Sequence, residues 1–270
     1  MKSLFLLVFP LFFCVSFEVN AQQEESIPTH DTFTLTSKQL GETRTINAWK
    51  PTAYGDTTQK LPVLYMLDGG VKEDFPHVAS TLMELINKNI IPPIILVGIE
   101  NTQRRRDLTG FTNVEEDKKI ASIVGGSIPF RAFIKEELFP AVEQKYRVNE
   151  KKSILGESLA GLFIVETLLT EPNMFDNYIA FDPSLWWNND ELVKQAKSKL
   201  ANFPAAPKQF WFAGSNTKGI YAQTKKLESI LKSINLSSLK WNYTDARKEK
   251  HDTIFKATKV KALTWAFGHN

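Results

Sequence analysis

Ser158 is the residue of this chain best placed to do chemistry. It lies in Gly156-Glu157-Ser158-Leu159-Ala160-Gly161, between the apolar run Ser153-Ile154-Leu155 and a longer one from Leu162 through Leu169. A strand, a sharp turn carrying a serine and then a helix is the layout of a nucleophile elbow, which lifts a hydroxyl above the end of a sheet. Small flanking residues are what such a turn demands, because larger side chains collide with the adjacent strand and helix. The pattern G-x-S-x-G is met with one change: Ala160 takes the place of the second glycine, and glycine follows at Gly161.

A serine hydroxyl needs a base to become a nucleophile at neutral pH. The chain has four histidines, His30, His77, His251 and His269. When an elbow serine works in a parallel sheet, its histidine comes last, on the loop after the final strand. His251 holds that place, whereas His269 is penultimate, on a terminus prone to fraying. The acid is expected after the strand at residues 209–213, yet Gly214-Ser215-Asn216-Thr217-Lys218 offers no carboxylate. Three choices stay open: Asp182 at the end of the preceding strand, Glu249 two residues before His251, or no carboxylate, with Asn216 or a backbone carbonyl orienting the ring. Asp182 before Pro183 also fits a turn initiator.

Two further stretches bear on a reaction. Gly69 and Gly70 end the apolar run Leu61 to Leu67; they read equally as a tight turn and as donors of an oxyanion N–H. Arg104, Arg105 and Arg106 lie past the strand ending at Ile99, where ligands bind in such sheets, and an arginine there suits an anionic or oxygen-rich substrate. None of this chemistry calls for a metal or cofactor.

The elements that must position these groups follow from periodicity. Asp31 to Thr36 and Thr43 to Trp49 alternate as a hairpin around Gly41. Buried strands are expected at Leu61 to Leu67, Pro93 to Ile99, the elbow run, Asn177 to Phe181, Gln209 to Ala213 and Leu239 to Tyr243. Helical stripes fall at Phe75 to Asn89, Phe130 to Tyr146 (kinked at Pro140), Leu192 to Leu200, Tyr221 to Ile234 and Thr253 to Phe267. Strands alternating with helices predict an α/β fold, a doubly wound, mostly parallel sheet with an antiparallel N-terminal hairpin; the serine elbow on such a sheet matches the α/β-hydrolase fold.

Lys2, the apolar stretch Leu4 to Phe17 and Val19-Asn20-Ala21 read as a signal peptide over residues 1–21, cleaved before Gln22. The apolar run is short for a span of about 20 residues. Residues 22–270 then form one domain, and Cys14, the only cysteine, is lost with the leader. A periplasmic or secreted protein that folds without disulfides is expected. The formal charge of +3 and scattered basic residues exclude a nucleic-acid surface, and no membrane contact is expected after cleavage. The expected partner is a small-molecule ester; the oligomeric state is not fixed by the sequence.

Taken together, residues 64–69 (LYMLDG), 97–102 (VGIENT), 104–109 (RRRDLT), 156–161 (GESLAG), 181–187 (FDPSLWW) and His251 resemble, in order, the esterase family that holds esterase D, feruloyl and acetylxylan esterases, mycolyltransferases and siderophore trilactone esterases. The likeness covers about Thr32 to Phe267 and is greatest to the siderophore branch. It implies Ser158 as nucleophile and His251 as base. It implies an oxyanion hole from Leu159 N–H with an N–H at Gly69 or Gly70, and a cleft lined by Arg106 and Trp186. The family usually has serine where Asp182 stands and often histidine or glutamine where Glu157 stands; some siderophore esterases work with a Ser–His dyad. The expected activity is that of an exported serine esterase acting on a siderophore-type or carbohydrate-linked ester. Rival readings are an acyltransferase on the same fold and a degenerate homologue that only binds.

Overall fold

The computed structural model describes residues 27–55 and 58–269; the expected signal peptide, residues 1–21, lies outside the described residues. Eight strands form one sheet: β1 (Asp31–Ser37), β2 (Glu42–Trp49), β3 (Leu61–Met66), β4 (Ile95–Ile99), β5 (Val148–Glu157), β6 (Asn177–Phe181), β7 (Lys208–Gly214) and β8 (Leu239–Asp245). Their order is β1-β2-β4-β3-β5-β6-β7-β8. β1 and β2 form the expected antiparallel hairpin, β2 runs antiparallel to β4, and the remaining pairs are parallel.

The helices are α1 (Phe75–Asn87), α2 (Arg104–Asp107), α3 (Glu115–Lys118), α4 (Ser127–Ala132), α5 (Phe139–Lys145), α6 (Leu159–Thr170), α7 (Trp187–Leu200), α8 (Ile220–Ile234) and α9 (Ile254–Phe267). Successive side chains of a strand point to opposite faces. Leu64, Met66, Leu155, Ile179 and Trp211 therefore meet Phe75, Leu82, Ile254 and Phe255 of α1 and α9 on one side. Val63, Tyr65, Ile154, Tyr178 and Phe212 meet Phe133, Leu162, Phe163 and Leu227 on the other. With both faces covered, the strands read as unbroken apolar runs.

The helix expected at Phe130 to Tyr146 begins earlier, at Ser127, and its irregularity precedes the proline. A π-helical stretch, Phe133–Leu138, joins α4 to α5, and Pro140 stands in the first turn of α5. Proline cannot donate to the carbonyl four residues back and its ring crowds that oxygen. A wider turn ahead of it relieves both demands.

Candidate active site

The carboxyl ends of β3 to β7 and the loop after β8 converge on Ser158. Its backbone, at φ 61° and ψ −118°, is strained for a residue with a side chain. Three contacts hold it there. Ser158 N–H donates to Phe181 O at 3.0 Å, and Ser158 O accepts from Leu162 N–H at 2.9 Å and from Ser184 N–H at 3.0 Å. The glycine pattern follows from packing. A Cβ on Gly156 would lie 2.6 Å from the Ala160 methyl, and one on Gly161 would lie 2.9 Å from Pro183 Cα and 3.0 Å from Phe181 O. The second glycine is needed one residue later than in G-x-S-x-G because it is residue 161 that packs on the end of β6.

His251 Nε2 stands 3.0 Å from Ser158 Oγ and its Nδ1 stands 2.6 Å from Asp182 Oδ2. Asp182 is fully buried, on a backbone at φ 44°, just past the end of β6. It accepts two more bonds, from Ser215 N–H at 2.6 Å and from Ser215 Oγ at 2.8 Å. A second hydroxyl, Ser184 Oγ, lies 3.3 Å from Ser158 Oγ. The hydrogen bond to Asp182 raises the His251 pKa above its ordinary value, against the opposing effect of burial. Glu249 faces elsewhere: its Oε2 accepts from Thr253 Oγ1 at 2.8 Å. Of the three choices left open by the sequence, the one in contact with the ring is Asp182.

The loop after β3 uses its N–H groups as follows. Gly69 N–H donates to Ile99 O at 2.9 Å and Gly70 N–H to Glu73 Oε2 at 2.7 Å. Glu73 Oε1 accepts from Asn101 Nδ2 at 2.8 Å, and burial raises the Glu73 pKa. Leu159, at the first position of α6, has an N–H that its own helix leaves unpaired.

The three arginines separate. Arg104 forks onto Asp68 at 2.6 and 2.8 Å and reaches Glu157 O at 3.4 Å, beside the elbow. Arg106 is held by Glu42 at 2.7 and 3.1 Å and by Asp107 at 2.6 Å, next to the buried Arg44–Asp107 pair. Both guanidiniums are paired within the protein, and Arg104 is the one whose contacts extend to the elbow, at the Glu157 carbonyl. Trp186 is half-buried beside Trp187, with ring centroids 6.0 Å apart.

Sequence reasoning offered Arg104 only as one of three adjacent arginines, and it passed over Ser184, Ser215 and Glu73. Ser215 alone left a signal, since it occupies the position searched for an acid. Glu157 was quoted only as a family departure; it is a mostly buried carboxyl with an unpartnered Oε1, pushed up to about 8 by burial. Among the described residues no cluster of histidine, cysteine and carboxylate could hold a metal ion, and no helix is long and apolar enough to cross a membrane.

The sheet order, its antiparallel hairpin and the flanking helices define an α/β-hydrolase. Residues 37–260 match the family model described as "Putative esterase", and the chain belongs to that Esterase family. A crystal structure of an IroE-like serine hydrolase from Shewanella oneidensis superposes with a TM-score of 0.81 at 26% identity, over 88% of this chain and 80% of that one. The siderophore hydrolase EstB from Aspergillus nidulans shares the fold with a TM-score of 0.75 at 21% identity, over 90% of this chain and 96% of that one. The ferri-bacillibactin esterase BesA of Bacillus subtilis is 32% identical over 154 residues, 50% of this chain. That alignment spans 51% of the curated relative's length.

Proposed function

We propose that this protein is a serine esterase that cleaves siderophore-type carboxylic esters through an acyl-enzyme. The observation that carries the reading is the continuous row from Ser158 Oγ through His251 to Asp182, with steps of 3.0 and 2.6 Å, on a strained elbow. Membership of the Esterase family and relatives named as siderophore esterases support the substrate class.

With its Nδ1 proton donated to Asp182, His251 presents a lone pair at Nε2 to the Ser158 hydroxyl. The proton passes to Nε2 as Oγ bonds to the ester carbonyl carbon. The carbonyl oxygen takes up negative charge beside Leu159 N–H and a second donor in the loop after β3. Gly69 N–H is engaged by Ile99, so Gly70 is the better candidate of the two glycines, once the Glu73 carboxylate swings off it. The carbon–oxygen bond then breaks, and His251 protonates the leaving alcohol. A water gives its proton to the same nitrogen, attacks the acyl carbon and releases the acid with Ser158 restored. Arg104, more exposed than Arg106 and in contact with the elbow carbonyl of Glu157, is the cation better placed to meet an oxygen-rich substrate.

The enzyme works outside the cytoplasm on this reading, after loss of residues 1–21; an exported product whose N-terminus is Gln22 tests that. The catalytic reading is tested by hydrolysis of p-nitrophenyl acetate and of a catecholate trilactone by the mature protein. Ser158→Ala and His251→Ala should each abolish both activities. Turnover that survives Ser158→Ala overturns the mechanism.

A further inference from the structure

The loop after β6 touches both ends of the row from Ser158 to Asp182. Asp182 meets His251 Nδ1 at one end, and two residues later Ser184 Oγ lies 3.3 Å from Ser158 Oγ at the other. The loop is tied down on every side. Asp182 N–H donates to Ala213 O at 3.0 Å, Ser184 N–H to Ser158 O at 3.0 Å, and Trp187 N–H to Ser184 O at 3.2 Å. Pro183, whose ring fixes its φ, packs so closely on Gly161 that a Cβ there would stand 2.9 Å from it. Ser184 is 2% exposed, so solvent hardly reaches its hydroxyl. Among the described residues that hydroxyl has one hydrogen-bond partner, the oxygen of Ser158.

Counting protons fixes the direction of this bond. The Ser158 hydroxyl has a single proton, and the neutral His251 ring accepts it at Nε2, 3.0 Å away. The Ser158 oxygen then has only lone pairs to offer Ser184, so the Ser184 hydroxyl donates and the Ser158 oxygen accepts. At 3.3 Å the bond is long, since paired hydroxyls usually stand about 2.7–2.8 Å apart. Hydrogen bonds shorten and strengthen when the acceptor carries charge, and those of a reacting site tighten in the transition state. A donor aimed at Oγ is thus worth little in the resting enzyme and more while Oγ is charged. That difference is what lowers a barrier, where uniform binding does not.

We propose that Ser184 is a further catalytic residue, whose hydroxyl donates to the Ser158 oxygen in both halves of the ester reaction. The inference rests on the serine-esterase reading and deepens it at the nucleophile itself. In the first half the Ser158 proton passes to His251 Nε2 while an electron pair of Oγ forms the bond to the carbonyl carbon. The Ser184 O–H meets the charge on Oγ between loss of the proton and completion of that bond. In the acyl-enzyme Oγ is an uncharged ester oxygen, and the Ser184 bond to it is weak again. In the second half the carbon–Oγ bond breaks, its electron pair returns to Oγ, and Nε2 gives the proton back. Ser184 donates to Oγ as that charge appears. It keeps its own proton throughout, so the reaction balances with ester, water, Ser158 and His251 alone. The clamped loop holds the donor in place beforehand, with no reorganisation at the moment of reaction.

Ser184→Ala removes the hydroxyl and keeps the backbone N–H that holds Ser158 O. Its kcat on p-nitrophenyl acetate should fall about 10- to 100-fold, the range of one hydrogen bond to a charged group, with KM nearly unchanged. Diethyl p-nitrophenyl phosphate reads the first half alone: Oγ bonds to phosphorus, p-nitrophenolate leaves, and the product is not hydrolysed on the same timescale. That rate should fall by a similar factor. The acid limb of kcat/KM, set by His251 and Asp182, separates loss of the hydroxyl from displacement of the loop, which carries Asp182 as well. Slower hydrolysis and slower phosphorylation with the limb in its wild-type place support the role. A limb that moves along with the loss traces it to the loop and overturns the proposal. Beside a working wild type, a Ser184→Ala protein as fast or faster overturns the role of Ser184 alone. A wild type that hydrolyses no ester and takes up no phosphoryl group overturns the serine-esterase reading, and this role with it.

Discussion

Ser215 gives Asp182 two hydrogen bonds, one from its backbone N–H to Oδ1 at 2.6 Å and one from its hydroxyl to Oδ2 at 2.8 Å. The two residues follow adjacent parallel strands, β6 and β7, whose ends are in register at Phe181 and Ala213. The place where chain order puts the acid thus holds a serine, which orients a carboxylate from the strand beside it. With His251 Nδ1 as third donor, a fully buried charge is satisfied on both oxygens.

Asp182→Asn should lower kcat on p-nitrophenyl acetate by about 10³- to 10⁴-fold, because an amide in that place favours the wrong imidazole tautomer. Ser215→Ala, which removes one of three donors, should cost roughly tenfold, in line with one hydrogen bond to a charged group. An Asp182→Asn variant as fast as wild type would make the enzyme a Ser–His dyad.

The sheet and the elbow were legible because their signals are local. Ile154-Leu155 and Leu162 to Leu169 are apolar on both sides of a turn built from small residues, with Gly156 against the Ala160 methyl and Gly161 against the backbone of Phe181 and Pro183. The acid was legible only as Asp182 among three choices, because Asp182 and His251 are 69 residues apart and meet only through strand order. The same limit explains the arginines. Three adjacent cations are alike in sequence; Asp68, 36 residues before Arg104, and Glu42, 64 residues before Arg106, decide which carboxylate each of those two meets. The π-helical turn before Pro140 was hidden for a different reason: a proline predicts a disturbance without fixing how the preceding backbone absorbs it.

The base should be silent at low pH. Asp182 raises the pKa of His251 above 6.5, so the neutral ring that accepts the serine proton is populated only as pH climbs past that raised value. kcat/KM should therefore rise with pH on a limb lying above 6.5. The stability linkage has the opposite sense. The bond between imidazolium and Asp182 favours the folded state in full below about 6.5, and its contribution is lost as pH rises through the folded-state pKa. Chemical shifts of the His251 ring protons in wild type and Asp182→Asn check both: the substitution should shift the ring's titration and the activity limb to lower pH.

Arg104 and Arg106 should fail in different ways. Arg106 ties α2 to Glu42 of β2 and to Asp107, so Arg106→Ala should chiefly destabilise, by about 1–3 kcal/mol, with kcat nearly kept. Arg104 forks onto Asp68 and leans on the Glu157 carbonyl, so Arg104→Ala should chiefly raise KM for an anionic ester. Urea denaturation beside kcat and KM for the two variants separates the effects. Equal kinetic losses in both would return Arg106 to the cleft.

Glu157 makes the alkaline limb testable. Burial, with Asp74, Asp182 and Asp68 adding to it and His251 opposing, pushes this carboxyl up to about 8, and its Oε1 has no hydrogen-bond partner. Near pH 7 the group beside the nucleophile is therefore a neutral acid in the fold and an ionised one in the unfolded chain. The folded state binds the extra proton, so stability should decline as pH rises from about 4.5 to 8, by at most about 1.4 kcal/mol per pH unit. Glu157→Gln preserves shape and neutrality and should remove that slope. It should also hold kcat/KM level above pH 8, where the ionised wild-type side chain sets a negative charge against the developing oxyanion. Urea midpoints and pH–rate profiles of the two proteins over pH 5 to 9 decide the matter. A variant that keeps both the slope and the alkaline fall would assign them to another group.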